Sequence, residues 1–263
     1  MSYECLEFER NDGIAVMTLN RPDAANAMDT QMSKEMLDVS IICDEDPGVR
    51  VLIIRSRGRM FCAGGDLKKF AESGDRIGHT LKDMTTYLHG AISRFSRMNA
   101  PVITEVQGMA AGAGMSLAIT GDLVIAGESA GFTMAYTAAG LSPDGSSSFF
   151  LPRLVGVQRA KELMLTNRRL SAEEALQWGL VNRVVADDAL SDEVMKAASM
   201  LATGPTAAFG SVKRLIDTTF GVGLETQMEL EAREIVDNAK GRDGQEGISA
   251  FLSKRKPEYT GSR

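Results

Sequence analysis

Hydrophobic and polar positions alternate near the start of the chain, and short apolar runs recur over its first half. Residues 3–8 and 14–19 alternate with a period of two, and Asn11, Asp12 and Gly13 form a turn sequence between them. This pattern predicts a β-hairpin. Apolar runs, most of them rich in β-branched residues, predict further strands at positions 49–54, 101–106, 122–126 and 131–136.

Between these strands, apolar residues recur at helical spacing. The predicted helices cover residues 29–42, 67–71, 80–98, 110–119 and 157–165. A strand followed by a helix, repeated several times, is typical of an α/β fold with parallel strand pairing.

The pattern changes towards the end of the chain. After Val185 the strand signals stop, and four amphipathic stretches predict helices at 192–201, 206–219, 224–239 and 244–254. We therefore expect a mixed core over residues 1–200 and a helical C-terminal region over residues 201–263.

Composition and charge narrow the functional classes. Of the 263 residues, 44% are hydrophobic and 24% are charged, which is ordinary for a globular protein. No apolar run reaches the ~20 residues of a membrane-spanning helix, and the polar first ten residues do not resemble a secretory signal. A net charge of −6 argues against nucleic acid as a partner. Cys5, Cys43 and Cys62 lack the spacing of a metal site, so we expect a reducing, cytoplasmic location and no metal.

Two segments rich in glycine and alanine follow predicted strands. They are FCAGGDL, residues 61–67, and GMAAGAGM, residues 108–115. Backbone N–H groups at a strand end and helix start lack partners, and two that converge would stabilise a developing oxyanion. The alternative is that the glycines serve only tight turns and close packing. A nucleotide site is less favoured, because Gly112 and Gly114 lack the third glycine of the dinucleotide motif and no P-loop lysine is present.

Four motifs stand in a fixed order: Leu19–Pro22 followed by Asn26–Met28, the two glycine-alanine segments, and LPRLVG at 151–156. In this order they resemble the crotonase superfamily, the enoyl-CoA hydratases and isomerases. The resemblance spans about Tyr3 to Lys256, and it is closest to the enoyl-CoA isomerase and 4-chlorobenzoyl-CoA dehalogenase branches. It implies an α/β fold built as a spiral of ββα units, with a C-terminal helical region used for trimerisation.

The same resemblance implies how the chain would bind its substrate. An acyl-CoA thioester would bind with its carbonyl oxygen between the backbone N–H groups of Gly65 and Ala113. Coenzyme A would enter as part of the substrate, so no separate cofactor is expected. The expected assembly is a homotrimer or a dimer of trimers, with no nucleic-acid or membrane partner.

The position of the carboxylates distinguishes the members of this superfamily. The two glutamates of its hydratases fall where this chain has Ser116 and Tyr136, which argues against simple hydration. The acid nearest these segments is Asp144, in the sequence GLSPDGS. By spacing alone it is a turn residue or a helix N-cap. The resemblance makes it the proton-transferring acid of an isomerase or the nucleophile of a dehalogenase.

His89 is the second informative position. It lies on the shoulder of the apolar stripe of helix 80–98, where a histidine with a hydrogen-bond partner is common. By the resemblance, it falls where the dehalogenases carry the histidine that activates water. Tyr136 and Gly65 replace a tryptophan and a phenylalanine of those enzymes, which favours the enoyl-CoA branch. His79 is expected in a loop, without a role.

The resemblance also assigns contacts to coenzyme A. Ala63, Asp66, Leu67 and Lys68 would lie near its adenine and pantetheine groups. Phe251 and Lys254, or Lys256, would come from a neighbouring subunit. The basic residue that the family carries before Asn26 is here Ala25, so one phosphate contact is not expected.

The favoured interpretation is an enoyl-CoA isomerase in which Asp144 moves a proton. Tyr136 would bond to Asp144 or line the acyl pocket, and His89 would bind water or orient the substrate. One alternative is a dehalogenase-type acyl-CoA hydrolase with Asp144 as nucleophile and His89 as base. Another is a non-catalytic member that binds CoA or RNA.

Overall fold

The computed structural model describes residues 3–262. The chain opens with the predicted hairpin, in which strand β1 (Leu6–Asn11) pairs antiparallel with β2 (Ile14–Leu19). Asp12 and Gly13 form its turn with φ of 48° and 83°. Aspartate and glycine tolerate positive φ, which explains why this turn sequence stands here.

Seven further strands follow among the described residues: β3 (Val51–Ser56), β4 (Val102–Val106), β5 (Met109–Ala111), β6 (Leu123–Gly127), β7 (Gly131–Thr133), β8 (Leu170–Ser171) and β9 (Arg183–Val185). A six-stranded sheet has the order β1-β2-β3-β4-β6-β9, and every pair after the hairpin is parallel. A small sheet of order β5-β7-β8 lies beside it.

The helices over the same residues are α1 (Thr30–Glu45), α2 (Leu67–Glu72), α3 (Ile77–Arg97), α4 (Ala113–Ala118), α5 (Ser147–Val155), α6 (Val157–Thr166), α7 (Ala172–Gln177), α8 (Leu190–Ala202), α9 (Thr206–Thr218), α10 (Leu224–Lys240) and α11 (Arg242–Leu252). The α/β class and the four C-terminal helices agree with the prediction. The division of the chain at residue 200 stays a prediction, and α8 continues two residues beyond it. Within residues 3–262 no helix has both the length and the apolar character needed to cross a membrane.

Both faces of the large sheet are buried, and β3 shows this directly. Leu52 and Ile54 belong to the main core, while Val51 and Ile53 pack with α8 on the opposite face. Side chains alternate between the faces of a strand, so a strand covered on both sides is apolar at every position. This is why residues 51–54 of β3 are continuously hydrophobic.

Three predictions about local structure are wrong. Residues 110–111 belong to β5 rather than to a helix, because Ala110 pairs with Cys62 in a parallel bridge, and α4 begins only at Ala113. The strand expected over 131–136 ends at Thr133. His79 lies in the first turn of α3 rather than in a loop. Two short strands, β8 and β9, carry too few residues for a periodic signal.

A buried ion pair ties α9 to the sheet. Lys213 Nζ lies 2.8 Å from Asp122 Oδ2 and donates to the carbonyl oxygens of Phe95 at 2.7 Å and Ala100 at 3.0 Å. Burial lowers the pKa of Lys213 and raises the pKa of Asp122, and the charge of each partner opposes these shifts. Each charge therefore offsets the cost of burying the other, and this holds only while both charges are present.

Replacing Lys213 with methionine should destabilise the fold by about 2 kcal/mol, because it leaves Asp122 and two carbonyl groups without their cation. The cost stays below that of a fully buried pair, since the Asp122 side chain is 28% exposed. Urea denaturation measures the change. Lys196→Met on the exposed face of α8 is the control and should fall within about 0.5 kcal/mol of wild type. Equal stability of both variants would contradict this role.

Candidate active site

The two glycine-alanine segments come into direct contact. Cys62 N donates to Met109 O at 3.2 Å, and Ala111 N donates to Cys62 O at 2.9 Å. Gly64 has φ of 99°, and a Cβ added there would lie 2.9 Å from Ala111 O and 3.3 Å from Ala113 N. Only glycine fits this close approach.

Two backbone amides are left without partners where these segments meet. Met28 N donates to Gly64 O at 2.7 Å and Asp66 N donates to Met28 O at 2.8 Å, so this bridge does not use the amide of Gly65. Ala113 is the first residue of α4, whose amide has no intrahelical acceptor. Within residues 3–262, neither Gly65 N nor Ala113 N donates a hydrogen bond.

Gly65 and Ala113 line one cavity of about 270 Å³, which we call the front cavity. Its wall is mostly apolar, and its residues are Ala63, Gly64, Gly65, Leu67, Phe70, Leu81, Met84, Thr85, Gly112, Ala113, Ala135, Tyr136, Ala139, Leu141, Ser142 and Asp144. A concave apolar site with a few convergent polar groups is the usual form of a small-molecule site.

Asp144 is the carboxylate of the front cavity, and one of its oxygens is held firmly. Tyr136 donates its O–H to Asp144 Oδ1 at 2.7 Å. Ser116 has one proton, which serves the Tyr136 oxygen at 3.0 Å or the Asp144 carbonyl oxygen at 2.9 Å. Ser147 Oγ also donates to that carbonyl at 2.9 Å. The carboxylate therefore has a fixed orientation and keeps Oδ2 outside this network.

Burial, and next the negative charge of Asp144, raise the pKa of Tyr136 strongly. Tyr136 consequently stays protonated at physiological pH and remains a hydrogen-bond donor to Asp144. Tyr136 bonds to Asp144 and lines the front cavity, and its role in binding an acyl group stays a prediction.

His89 lies beside Asp144, on the side facing away from Tyr136. Its Nε2 atom is 3.6 Å from Asp144 Oδ2 and accepts the N–H of Gly145 at 3.3 Å. The side chain is half-exposed and projects from α3. This is a histidine with a hydrogen-bond partner at the helix boundary, placed within reach of the carboxylate.

The residues expected to contact coenzyme A divide into two groups. Ala63 and Leu67 line the front cavity. Asp66 instead caps α2 by accepting from Lys69 N at 3.2 Å and faces Arg21 at 3.1 Å. Its carboxylate is thus engaged in holding the first segment in place.

Three other expected contacts lie outside the front cavity of this chain. Lys68 is exposed on α2, Phe251 on α11 is 83% exposed, and Lys254 is exposed just after α11. Exposure on the C-terminal helices is compatible with a contribution to a neighbouring subunit, and that role stays a prediction. Among residues 3–262, no three His, Cys, Asp or Glu side chains are placed to hold a metal ion.

Sequence reasoning assigned no role to two residues that organise the site. Arg21 contacts both Asp29, at 3.2 Å, and Asp66, and so joins the start of α1 to the first glycine segment. Ser116 supports Tyr136 and Asp144. The sequence could have indicated a role for Ser116, because it stands at one of the two positions where the hydratases carry glutamate.

Cys62 lies next to the unpaired amides but is not a nucleophile. Its thiol is fully buried and donates to Asn26 O at 3.0 Å. Burial raises its pKa to about 12, so the reactive thiolate is scarce at neutral pH.

The chain is similar in sequence and structure to several known proteins. The family model for enoyl-CoA hydratase/isomerase matches residues 9–262. The 1,2-epoxyphenylacetyl-CoA isomerase of Escherichia coli is 37% identical over 252 residues, covering 95% of both chains. A 4-chlorobenzoyl coenzyme A dehalogenase of Arthrobacter is 32% identical, covering 95% of this chain and 91% of its own. The crystal structure of an enoyl-CoA hydratase of Mycobacterium smegmatis has a TM-score of 0.91 at 32% identity, covering 97% and 99%.

The chain therefore belongs to the enoyl-CoA hydratase/isomerase family, and its fold is that of the crotonases. An acyl-CoA thioester is the substrate class of this family. The similar proteins include an isomerase, a dehalogenase and a hydratase, so the particular reaction depends on the residues of this site.

Proposed function

We propose that this protein shifts the double bond of an enoyl-CoA by proton transfer through Asp144. The observation that carries the proposal is a single oriented carboxylate in the same cavity as two unpaired amides. A hydratase needs a second acid or base, and the two positions for it are occupied by Ser116 and Tyr136. Both hydroxyl groups are used to orient Asp144.

In the proposed reaction, the thioester oxygen of a 3-enoyl-CoA accepts from Gly65 N–H and Ala113 N–H. Asp144 Oδ2 removes a proton from the carbon next to the thioester carbonyl, and the electron pair delocalises into a dienolate. The two amides stabilise the negative charge on its oxygen. The protonated Asp144 then returns the proton to the fourth carbon. The double bond moves one position towards the thioester, and the mass of the substrate is unchanged.

The named activity of the Escherichia coli relative supports isomerisation, since that protein is also an isomerase of an acyl-CoA. The fixed Oδ1 of Asp144 supports it too, because one free oxygen can reach two carbons of a bound chain in turn. An aspartate without a second carboxylate can remove and return a proton but lacks the second acid of the hydratases that would activate water.

A second candidate function is hydrolysis of an acyl-CoA, with Asp144 as nucleophile and His89 as base. The 3.6 Å between His89 Nε2 and Asp144 Oδ2 favours it, as does the similarity to a dehalogenase. The hydrogen bond from Gly145 N weighs against it, because it occupies the nitrogen that would accept a proton from water.

A panel of acyl-CoAs distinguishes these functions. The purified protein is incubated with a 3-enoyl-CoA, a 2-enoyl-CoA and a 4-halobenzoyl-CoA, and the products are analysed by mass spectrometry and by ultraviolet absorbance of the conjugated thioester. We expect conjugation of the 3-enoyl-CoA without a change of mass, and little deuterium in the product formed in D₂O, because Asp144 returns the proton that it removed. Addition of water, or release of halide, with no double-bond shift would overturn the proposal.

Removing the hydroxyl of Tyr136 should slow the reaction moderately. In Tyr136→Phe, Asp144 loses the donor to Oδ1 but keeps its backbone support, so we expect kcat to fall by about tenfold, the worth of one hydrogen bond to a charged group. Stopped-flow absorbance of the 3-enoyl-CoA reaction measures it. Tyr87→Phe, which removes the hydroxyl of a tyrosine on α3 outside the front cavity, serves as the matched control. A Tyr136→Phe variant with wild-type turnover would show that Tyr136 does not position Asp144.

A further inference from the structure

A second cavity, of about 670 Å³, lies on the other side of Asp144. We call it the rear chamber, and its lining residues are His89, Ile92, Ser93, Ser96, Arg97, Ser146, Phe149, Phe150, Arg214, Asp217 and Thr218. His89 belongs to this chamber yet lies 3.6 Å from Asp144, which lines the front cavity. The chamber is therefore adjacent to the proposed reacting group.

Neighbouring residues line the two cavities: Asp144 lines the front cavity, while Ser146 and His89 line the rear chamber. Gly145 and Ser146 have φ of 60° and 70°. A Cβ on Gly145 would lie 3.0 Å from Ser116 Cβ and 3.6 Å from Ile92 Cδ1, so the backbone alone fills this space. The half-exposed His89 is held there by one hydrogen bond, from Gly145 at 3.3 Å, so turning its ring aside would break a single contact with the backbone.

The front cavity is small for a long acyl group. Its volume is about 270 Å³, which lies just below the roughly 300–1,000 Å³ of typical small-molecule sites. It must also admit the thioester end of coenzyme A. An acyl chain that extends beyond Asp144 therefore needs further space, and the rear chamber is the adjoining space that offers it.

The rear chamber has an apolar part and a charged part. We call the charged part its far end, because Arg97 lies eight residues beyond His89 on α3, or about 12 Å along the helix. Ile92, Phe149 and Phe150 provide the apolar part, the two rings meeting edge to face with centroids 5.1 Å apart. Arg214 at the far end is paired with Glu234 at 3.3 Å. Arg97 is exposed and makes no side-chain hydrogen bond or ion pair within residues 3–262.

Asp217 also lines the far end. The charges around it determine which terminal group of an acyl chain can bind there. Arg97, Lys213 and Arg153 all act on Asp217 electrostatically, while Lys213 is committed to Asp122. Among the lining residues Arg97 and Arg214 are positive and Asp217 is negative, and Arg214 is neutralised by Glu234. An incoming anion would find Arg97 unoccupied by a side-chain partner.

We infer that the rear chamber accepts the distal part of acyl groups that outreach the front cavity, with a preference for chains that end in a carboxylate placed near Arg97. The inference rests on the proposed function for the direction of the acyl group, and it names the substrate class of that site. Because Arg97 is exposed, the carboxylate stays partly hydrated and avoids the cost of full burial.

Binding of saturated acyl-CoAs tests the inference without turnover. Isothermal titration calorimetry compares butyryl-CoA, octanoyl-CoA and suberoyl-CoA, the dicarboxylic counterpart of octanoyl-CoA. Arg97→Gln should weaken suberoyl-CoA about fivefold, as expected for one exposed ion pair, and octanoyl-CoA less than twofold. Arg94→Gln is the matched control on the same helix, because Arg94 bonds to Gly90 O at 3.2 Å and lines neither cavity. It should leave the ratio of the two affinities at the wild-type value.

A second variant tests the chamber itself. Ser96→Phe places a ring inside it and should weaken octanoyl-CoA and suberoyl-CoA at least fivefold relative to butyryl-CoA. Equal weakening of all three ligands by Ser96→Phe would overturn the chamber as the acyl site. Equal loss of octanoyl-CoA and suberoyl-CoA in Arg97→Gln would overturn the preference for a carboxylate. Since these ligands bind without reacting, a protein that binds them as expected but isomerises no enoyl-CoA would refute the proposed function alone.

Discussion

Replacing Asp144 with asparagine is expected to lower the rate of the double-bond shift by about 10²–10⁴-fold, the usual contribution of a positioned acid or base. Asparagine has nearly the same shape and still accepts from Tyr136 through its carbonyl oxygen, so the fold and the front cavity should be retained. What disappears is the ability to take up and return a proton. The measurement is kcat for a 3-enoyl-CoA, with Kd for a saturated acyl-CoA showing that binding persists.

Two comparisons make the Asp144→Asn result specific. Asp188→Asn, at an exposed carboxylate far along the chain from the site, should keep wild-type kcat. His89→Gln should cost less than tenfold if Asp144 acts alone as acid and base. A large loss in His89→Gln, accompanied by hydrolysis in the wild type, would instead support the hydrolase. Wild-type isomerisation by Asp144→Asn would remove Asp144 from the reaction.

Replacing Ala113 with proline should remove one oxyanion donor and lower kcat by about 10²–10³-fold. Proline lacks the amide hydrogen, and it is well tolerated at the first residue of a helix, where that hydrogen has no intrahelical acceptor. Ala113 occupies this position in α4. Proline disfavours the α-helical conformation in the residue before it. That residue is Gly112, whose φ of 52° and ψ of −127° lie outside the α-helical region.

Ala113→Gly is the control for this change, because it removes the side chain but keeps the amide hydrogen. It should retain kcat within about threefold, at a cost in stability below about 1 kcal/mol. Circular dichroism and thermal unfolding verify that both variants are folded. If Ala113→Pro and Ala113→Gly turn over equally well, the amide of residue 113 does not stabilise the charge that develops.

Local signals predicted most of the fold. The Asn-Asp-Gly turn predicted the first hairpin, and the apolar run at 49–54 predicted a strand. The structure has β3 there, covered on both faces. The start of α4 could not be predicted from local pattern. Ala110 and Ala111 favour a helix by composition, but pairing with Cys62, far away along the chain, draws them into a strand. Tertiary pairing outweighs propensity there.

In the candidate site too, local sequence identified some residues, while others depend on contacts between distant segments. Asp144, His89 and Tyr136 were singled out from the sequence, and the structure places Tyr136 and His89 on the two oxygens of Asp144. The supporting roles of Ser116 and Arg21 depend on contacts between segments that are distant along the chain, which one sequence does not display. The expected contact of Asp66 with coenzyme A stays a prediction, while its carboxylate caps α2 and pairs with Arg21.

The central claim is that the amides of Gly65 and Ala113 bind the thioester oxygen while Asp144 faces the acyl carbons. A crystal structure of the Asp144→Asn variant with a bound 3-enoyl-CoA tests it most directly. We predict the thioester oxygen within about 2.7–3.1 Å of both amide nitrogens, and the carbons on either side of the double bond next to the side chain of residue 144. A thioester oxygen bound away from either amide, or an acyl chain that does not reach residue 144, would contradict the account.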